Sequence, residues 1–282
     1  VQTDTYIEYE SDIIRFVYSD NKIEMSWKDR YAYKQPKISY IPSERNIIAT
    51  IPNWFEVKFE DNNIRNFMAE WGNARKPFTK NASLNVLDLG ISYYYDSSSD
   101  TDLVRVADEK DLKLTYTSSG LQSIIPLNVL VEYLTRWIYS NNESESLSNI
   151  QRKAKLVEIL YNDRYKDLPS GTIIKDNKKI PGVTYYRIEE YLMVFPTSKE
   201  ADECRLLVKN MTKTQCTKLY VEEPEQNLFP STQRDLLYYM VEAIKRNDDH
   251  KLFITTHSPY ILYALNNCMM GYLVKDKMPE VE

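Results

Sequence analysis

The chain has 282 residues, 43% hydrophobic and 27% charged, enough for one large domain or two lobes around a substantial core. A formal net charge of −5 argues against a globally basic nucleic-acid coat, and two histidines rule out a His-rich metal site. No apolar run approaches a membrane span and the first residues do not read as a signal peptide, while Cys204, Cys216 and Cys268, with no C-x-x-C spacing, read as free thiols in a reducing cytoplasm.

From the N-terminus, residues 4–27 alternate polar and apolar in three runs with a turn at Ser19-Asp20-Asn21, which predicts a β-meander. A fourth strand is expected at Lys37–Ile41; it ends at Pro42 and leads into Ser43-Glu44-Arg45-Asn46, which reads as a surface turn. Asp61–Trp71 carries Ile64, Phe67, Met68 and Trp71 at helical spacing, and Lys76–Asn85 reads as a loop. Strands are predicted at Ile91–Tyr95, Leu103–Val106 and Asp111–Tyr116, with a hairpin-type loop at Ser97–Asp100. Thr117–Ser123 then opens a long apolar helix from about Ile124 to Tyr139. The polar stretch Asn141–Ser148 is expected to be a flexible tip, residues 149–166 helical, Lys175–Lys179 a basic turn, Val183–Ile188 a strand and Lys199–Lys213 a helix. Leu219–Val221 reads as a buried strand and Leu252–Thr255 as a second short apolar strand. After the first, Ser231-Thr232-Gln233 can cap a helix through Ala243; after the second, Ser258 caps a helix over Tyr260–Asn266 with Pro259 at its first position.

Three stretches carry the chemistry. The strand Leu219–Val221 ends in adjacent carboxylates, Glu222 and Glu223, and Pro224 stops the ladder. Open α/β sheets place ligands at the carboxyl ends of such strands, where a carboxylate can hold Mg²⁺ through water or take a proton from an attacking water. The plainer alternative is a solvated acidic turn. Ser118-Ser119-Gly120-Leu121-Gln122 opens a helix, so its free N–H groups and the helix dipole suit an anion, though serine capping alone also accounts for it. Thr256-His257-Ser258-Pro259 closes the last strand, where a lone histidine is either structural or functional.

As an ordered set the three resemble motifs of an ATP-binding-cassette-type AAA ATPase. The resemblance is to the bacterial ATPases grouped with the overcoming-lysogenization-defect, RecF and SMC-like families, many of which serve in DNA repair or anti-phage defence. Ser-Ser-Gly-Leu-Gln-Ser resembles the signature motif, Leu-Tyr-Val-Glu-Glu-Pro-Glu the Walker B strand, Gln226–Pro230 the D-loop, and Phe-Ile-Thr-Thr-His-Ser-Pro the switch-histidine loop. The resemblance implies an α/β fold, a P-loop NTPase head with a mixed β-sheet core, an antiparallel β-subdomain and a helical lobe. On it the chain divides into a β-rich part of the ATPase core (1–116), a signature helix with a helical lobe or insert (117–205), and the Walker B, D-loop and switch-His part (206–282). It further implies ATP and Mg²⁺ as ligands and homodimeric or larger assemblies in which two heads sandwich ATP. Glu223 would polarise the attacking water, Glu222 hold Mg²⁺ and His257 contact the γ-phosphate. Ser118, Ser119, Gly120, Gln122 and Asn227 would bind nucleotide.

Two departures stand out. Glu222 occupies a position where the family usually has Asp, and no G-x-x-x-x-G-K-[ST] run occurs among the six glycines. Either the sequence begins after that loop or stretches of it are missing, with a naturally degenerate ATPase as the less favoured alternative, and as it stands the chain is expected to bind ATP poorly. Ser43-Glu44-Arg45 falls where the family carries a metal-contacting glutamine; the nearest here is Gln35. With no nuclease domain expected after the His257 loop, any nuclease or other effector would be a separate subunit. DNA is a possible partner through Arg152-Lys153-Lys155 and Lys175-Lys178-Lys179, which otherwise read as solvated faces and turns. A different class of function stays open: a non-catalytic module that binds a protein or nucleic acid through the insert at 141–198.

Overall fold

The computed structural model describes residues 5–51, 62–106, 110–140, 153, 155–159, 182, 184–188 and 191–275. In chain order the elements are β1 (Ile7–Glu10), β2 (Ile14–Ser19), β3 (Lys22–Trp27) and β4 (Pro36–Ile41), then a 3₁₀ turn (Ser43–Asn46) running into α1 (Ile47–Thr50). Next come α2 (Asn63–Ala74), β5 (Leu84–Asn85), β6 (Ser92–Asp96), β7 (Thr101–Val106), β8 (Lys110–Lys113) and α3 (Ser119–Thr135). The remainder holds β9 (Tyr185–Ile188), β10 (Tyr191–Val194), α4 (Ser198–Thr212), β11 (Cys216–Glu222), α5 (Pro230–Ile244), β12 (Lys251–Thr255) and α6 (Pro259–Val274). The chain forms two compact units, one from Val1–Gln35 and Glu143–Gln215, the other from Pro36–Asn142 and Cys216–Glu282.

The first unit contains the expected meander, β1-β2-β3, fully antiparallel. Asp20 and Asn21 both have positive φ, +50° and +58°, so the two-residue turn has the twist that a tight hairpin needs. β9 and β10 form a second hairpin, of which the sequence pattern marked only the first strand. α4 opens on a capping box: the Thr197 hydroxyl accepts from the Glu200 N–H while the Glu200 carboxylate accepts from the Thr197 N–H. Val157, Ile188, Met193, Phe195, Ala201 and Val208 make this unit's small core. Gln35 pairs through its backbone, its N–H donating to the Asn210 carbonyl at 2.7 Å and its own carbonyl accepting from Gln215 N–H at 3.0 Å, while its side-chain Oε1 accepts from the Tyr33 hydroxyl at 3.1 Å. Lys153 is buried rather than on a solvated face, while Lys155 is exposed. The predicted tip at 141–148, Arg152 and the basic turn at 175–179 lie outside the described residues.

The second unit holds a three-stranded, wholly parallel sheet in the order β12-β11-β4 and an antiparallel sheet in the order β5-β6-β7-β8. On β11, Thr217, Leu219 and Val221 point into the core while Lys218, Tyr220 and Glu222 alternate outward. α3 is buried along nearly its whole length, and Ile124 to Leu134 join Phe67, Trp71, Tyr93, Leu236 and Met240 in one core. It starts five residues earlier than its apolar run suggests, because Ser118 accepts from Leu121 N–H and so caps it, and it ends at Thr135 before a 3₁₀ turn. α5 begins one residue before the expected cap: Pro230 takes the first helical position and Phe229 caps with no side-chain hydrogen bond. Ser258 caps α6 as expected, accepting from Tyr260 N–H at 3.1 Å. The three cysteines are free.

Candidate functional site

β11 is the central strand of the parallel sheet, so its carboxyl end lies between the ends of β4 and β12. Pairing continues one residue past the strand, where Glu223 N–H donates to the Thr255 carbonyl at 2.8 Å. There the backbone reverses. Glu223 has φ +40°, a left-handed conformation that costs a residue with a Cβ roughly 1–2 kcal/mol. Two tight turns follow, with Gln226 N–H donating to Glu223 O and Leu228 N–H to Glu225 O, and Asn227 is again left-handed at φ +61°. Strain of this kind persists only where the surroundings over-determine it.

The surroundings here are Arg45. Its guanidinium donates to five backbone carbonyls: Ser123 through Nε at 3.0 Å, Pro42 and Glu222 through one terminal nitrogen at 3.2 and 3.0 Å, and Glu223 and Pro224 through the other at 2.9 and 3.2 Å. The residue is fully buried, which overturns its reading as part of a surface turn. Burial pushes its pKa down to about 10, opposed by the charges of Glu225 and Glu223, so it stays charged at neutral pH. Nothing in the sequence marks it, because an arginine three residues after Pro42 has no periodic signal.

The histidine loop closes on the same turn. His257 N–H donates to Glu225 Oε1 at 2.7 Å, and His257 Nε2 stands 3.7 Å from Glu223 Oε1. The imidazole is 88% exposed and the Glu223 side chain 39%, so both face solvent. Behind them the Ser258 hydroxyl donates to Gln233 Oε1, and Gln233 Nε2 donates to the Leu228 carbonyl, which ties the two loops together through α5. Glu222 is half-buried beside Tyr40, whose phenol is pushed up to about 12 by burial and then by the hydrogen bond and charge of Glu222 and by Glu44.

The start of α3 reaches the same place. A Cβ on Gly120 would lie 3.0 Å from the Asn227 carbonyl oxygen, so glycine permits the close approach of these two backbones. Ser118, Ser119 and Asn227 are exposed. Gln122 turns back instead: its amide nitrogen donates to the carbonyls of Thr115 and Thr117, at 2.9 and 3.0 Å, and holds the loop before the helix.

Glu222 and Glu223 offer the hard oxygen donors that Mg²⁺ takes, and Mg²⁺ bound beside phosphates needs only one or two carboxylates from the protein. Among the described residues no group of three or more His, Cys, Asp or Glu could hold a metal ion by itself. The buried Glu225 Oε2 and Gln226 Oε1 have no hydrogen-bond partner among the described residues, so the turn keeps unused polar capacity. This donor set fits Mg²⁺ held jointly with a phosphate.

A family model for the AAA ATPase domain matches residues 198–262. The match takes in α4, β11, the turn after it, α5, β12 and the start of α6, and therefore Glu222, Glu223, Asn227 and His257, but not Ser118–Gln122. It supports an ATPase of the α/β P-loop class, for which ATP and Mg²⁺ are the general ligands. No curated protein matches the chain. No helix among the described residues is long and apolar enough to cross a membrane.

Proposed function

We propose that this chain is an ATP-hydrolysing head of the ATP-binding-cassette type, two copies of which close on ATP and reopen after hydrolysis. In this reading Glu223 accepts the proton of the water that attacks the γ-phosphorus, and His257 donates a hydrogen bond to the γ-phosphate oxygens. The exposed Ser119 hydroxyl and the N–H groups of Ser119 and Gly120 contact the γ-phosphate held by the other copy, with Ser118 and Asn227 at the rim. Gln122 contributes through the loop that it holds. Glu222 would hold Mg²⁺, which when bound supplies charge neutralisation at the phosphate oxygens. Placement and electrostatics account for most of phosphoryl transfer, so the closed pair of heads is what assembles the site. By resemblance, such a head works as a switch in DNA maintenance or anti-phage defence and controls a separate nuclease or other effector.

The observation that carries this reading is the approach of His257 to Glu223, 3.7 Å apart at the carboxyl edge of a parallel sheet although 34 residues separate them in sequence. The test is Glu223→Gln in the full-length protein. Hydrolysis should fall by roughly 10²–10⁴-fold, the range for loss of a general base, while ATP is retained and a dimer accumulates on size-exclusion. Hydrolysis at the parental rate would remove Glu223 from the role of base.

One observation favours a second reading, a module that keeps the fold without nucleotide: no G-x-x-x-x-G-K-[ST] run occurs in the 282 residues. Titration calorimetry with Mg-ATP separates the two, since heat of binding supports the ATPase and its absence in the full-length protein supports the module.

A further inference from the structure

The turn Glu222-Glu223-Pro224 presents three successive carbonyls to one cation. Such a run cannot stay extended, because alternate carbonyls of a strand point to opposite sides. Convergence on Arg45 therefore goes with the left-handed φ of Glu223, and that φ turns the carboxylate toward His257. The same guanidinium donates from Nε to Ser123 O in the first turn and a half of α3, whose opening residues Ser119 and Gly120 belong to the proposed phosphate contact. A second link runs in parallel, the close approach of Gly120 to Asn227 O. Arg45 itself is fully buried and its five hydrogen bonds all go to backbone carbonyls, so it does not meet substrate.

We infer that Arg45 is a positioning residue, which sets the Glu223 carboxylate and locks it in register with the start of α3. The inference rests on the ATPase reading above. Its consequence is that a displacement of α3 when a second head closes reaches Glu223 through one rigid, planar fork. Lysine cannot replace that planar fork: it is a point charge with three donors and cannot serve five carbonyls.

The experiment uses the full-length protein and compares the parent, Arg45→Lys, Arg45→Gln and Glu223→Gln. The readouts are kcat and KM for Mg-ATP, thermal midpoint, and amide hydrogen exchange of peptides covering residues 219–229 against the rest of the chain. For Arg45→Lys we expect kcat to fall by about 10–100-fold, the scale of an ångström-sized misplacement, with KM within about twofold. Exchange should quicken locally at 222–228 and little elsewhere. Arg45→Gln, which carries no charge to bury, should give the same split if the lysine variant does not fold. A folded Arg45→Lys with parental kcat beside an inactive Glu223→Gln overturns the positioning role and leaves the ATPase reading intact. Loss of kcat with uniformly faster exchange and a matching drop in midpoint also overturns it, since that is a general structural role. Parental turnover in Glu223→Gln removes Glu223 as the base and with it the positioning role, whereas a parent without turnover sinks the ATPase reading itself.

Discussion

The two ends of β11 solve opposite problems, and the chain's two histidines mark them. At the amino end, His250 is 3% exposed. Its Nδ1 accepts from Thr217 N–H at 2.9 Å, and its ring lies 5.5 Å from that of Tyr139. The Thr217 hydroxyl donates to Leu134 O at 2.6 Å, so in its short contact with Tyr139 the phenol must be the donor. These groups are paired, and none of His250, Thr217 and Tyr139 has a left-handed backbone. At the carboxyl end, His257 is almost wholly exposed, Glu223 and Asn227 are left-handed, and Glu225 keeps an unpaired oxygen among the described residues. Polar groups satisfied inside the fold stabilise it, whereas groups left strained and solvent-facing retain capacity for a ligand. Residue type cannot make that distinction, since both histidines follow or precede a short apolar strand.

Four substitutions or conditions would sharpen or break this contrast. The largest effect is expected at the carboxyl end: His257→Ala should lower ATP turnover by about 10²–10³-fold, as loss of a preorganised donor does, with an unchanged thermal midpoint. A fall in midpoint of several degrees would make His257 structural, like its counterpart. His250→Ala should do the reverse, costing about 2–3 kcal/mol in urea unfolding by orphaning Thr217 N–H in the core. Acid should act at the same end. Burial lowers the His250 pKa, with Arg246 lowering it further, while Asp249 and the backbone bond to Thr135 oppose. A base with a depressed folded pKa binds more protons when unfolded, so its stabilisation is complete above the ordinary histidine value of about 6.5 and is lost as pH falls toward the lowered value. Urea midpoints should decline between pH 7.5 and pH 5, and this slope should flatten in His250→Ala. The smallest effect is Gly120→Ala: its Cβ would press on Asn227 O at 3.0 Å, so stability should drop by up to about 1 kcal/mol while turnover falls more than that strain alone accounts for. Wild-type turnover in Gly120→Ala would separate the start of α3 from the chemistry.

The local signals were strong where side-chain alternation or capping chemistry sets the outcome. The meander, β4, α2, the β6-β7-β8 region, β11 and β12 lie within a few residues of their predicted spans. The missed features have identifiable causes. β10 is four residues, Tyr-Leu-Met-Val, with no alternation to read. The start of α5 was misplaced because Pro230 and Ser231-Thr232 both carry start signals, and the fixed φ of proline suits the first helical position. The pattern gives Gln122 as a ligand contact and does not show that its amide nitrogen donates to two carbonyls of its own loop.

By itself, the order of residues determined that carboxylates would sit at the end of a buried strand, that a serine-capped helix would precede it, and that a histidine would close the next strand. Those are local properties, governed by period, capping and propensity. Tertiary structure alone decided that Glu223 and His257 meet, that Gly120 abuts Asn227, and that residues 36–142 join 216–282 in one unit. It alone turned Arg45 from a surface charge into the buried clamp beneath the turn. These are contacts between residues tens to more than a hundred positions apart, and hydrophobic burial, which brings them together, depends on the whole chain's packing rather than on any one stretch of it.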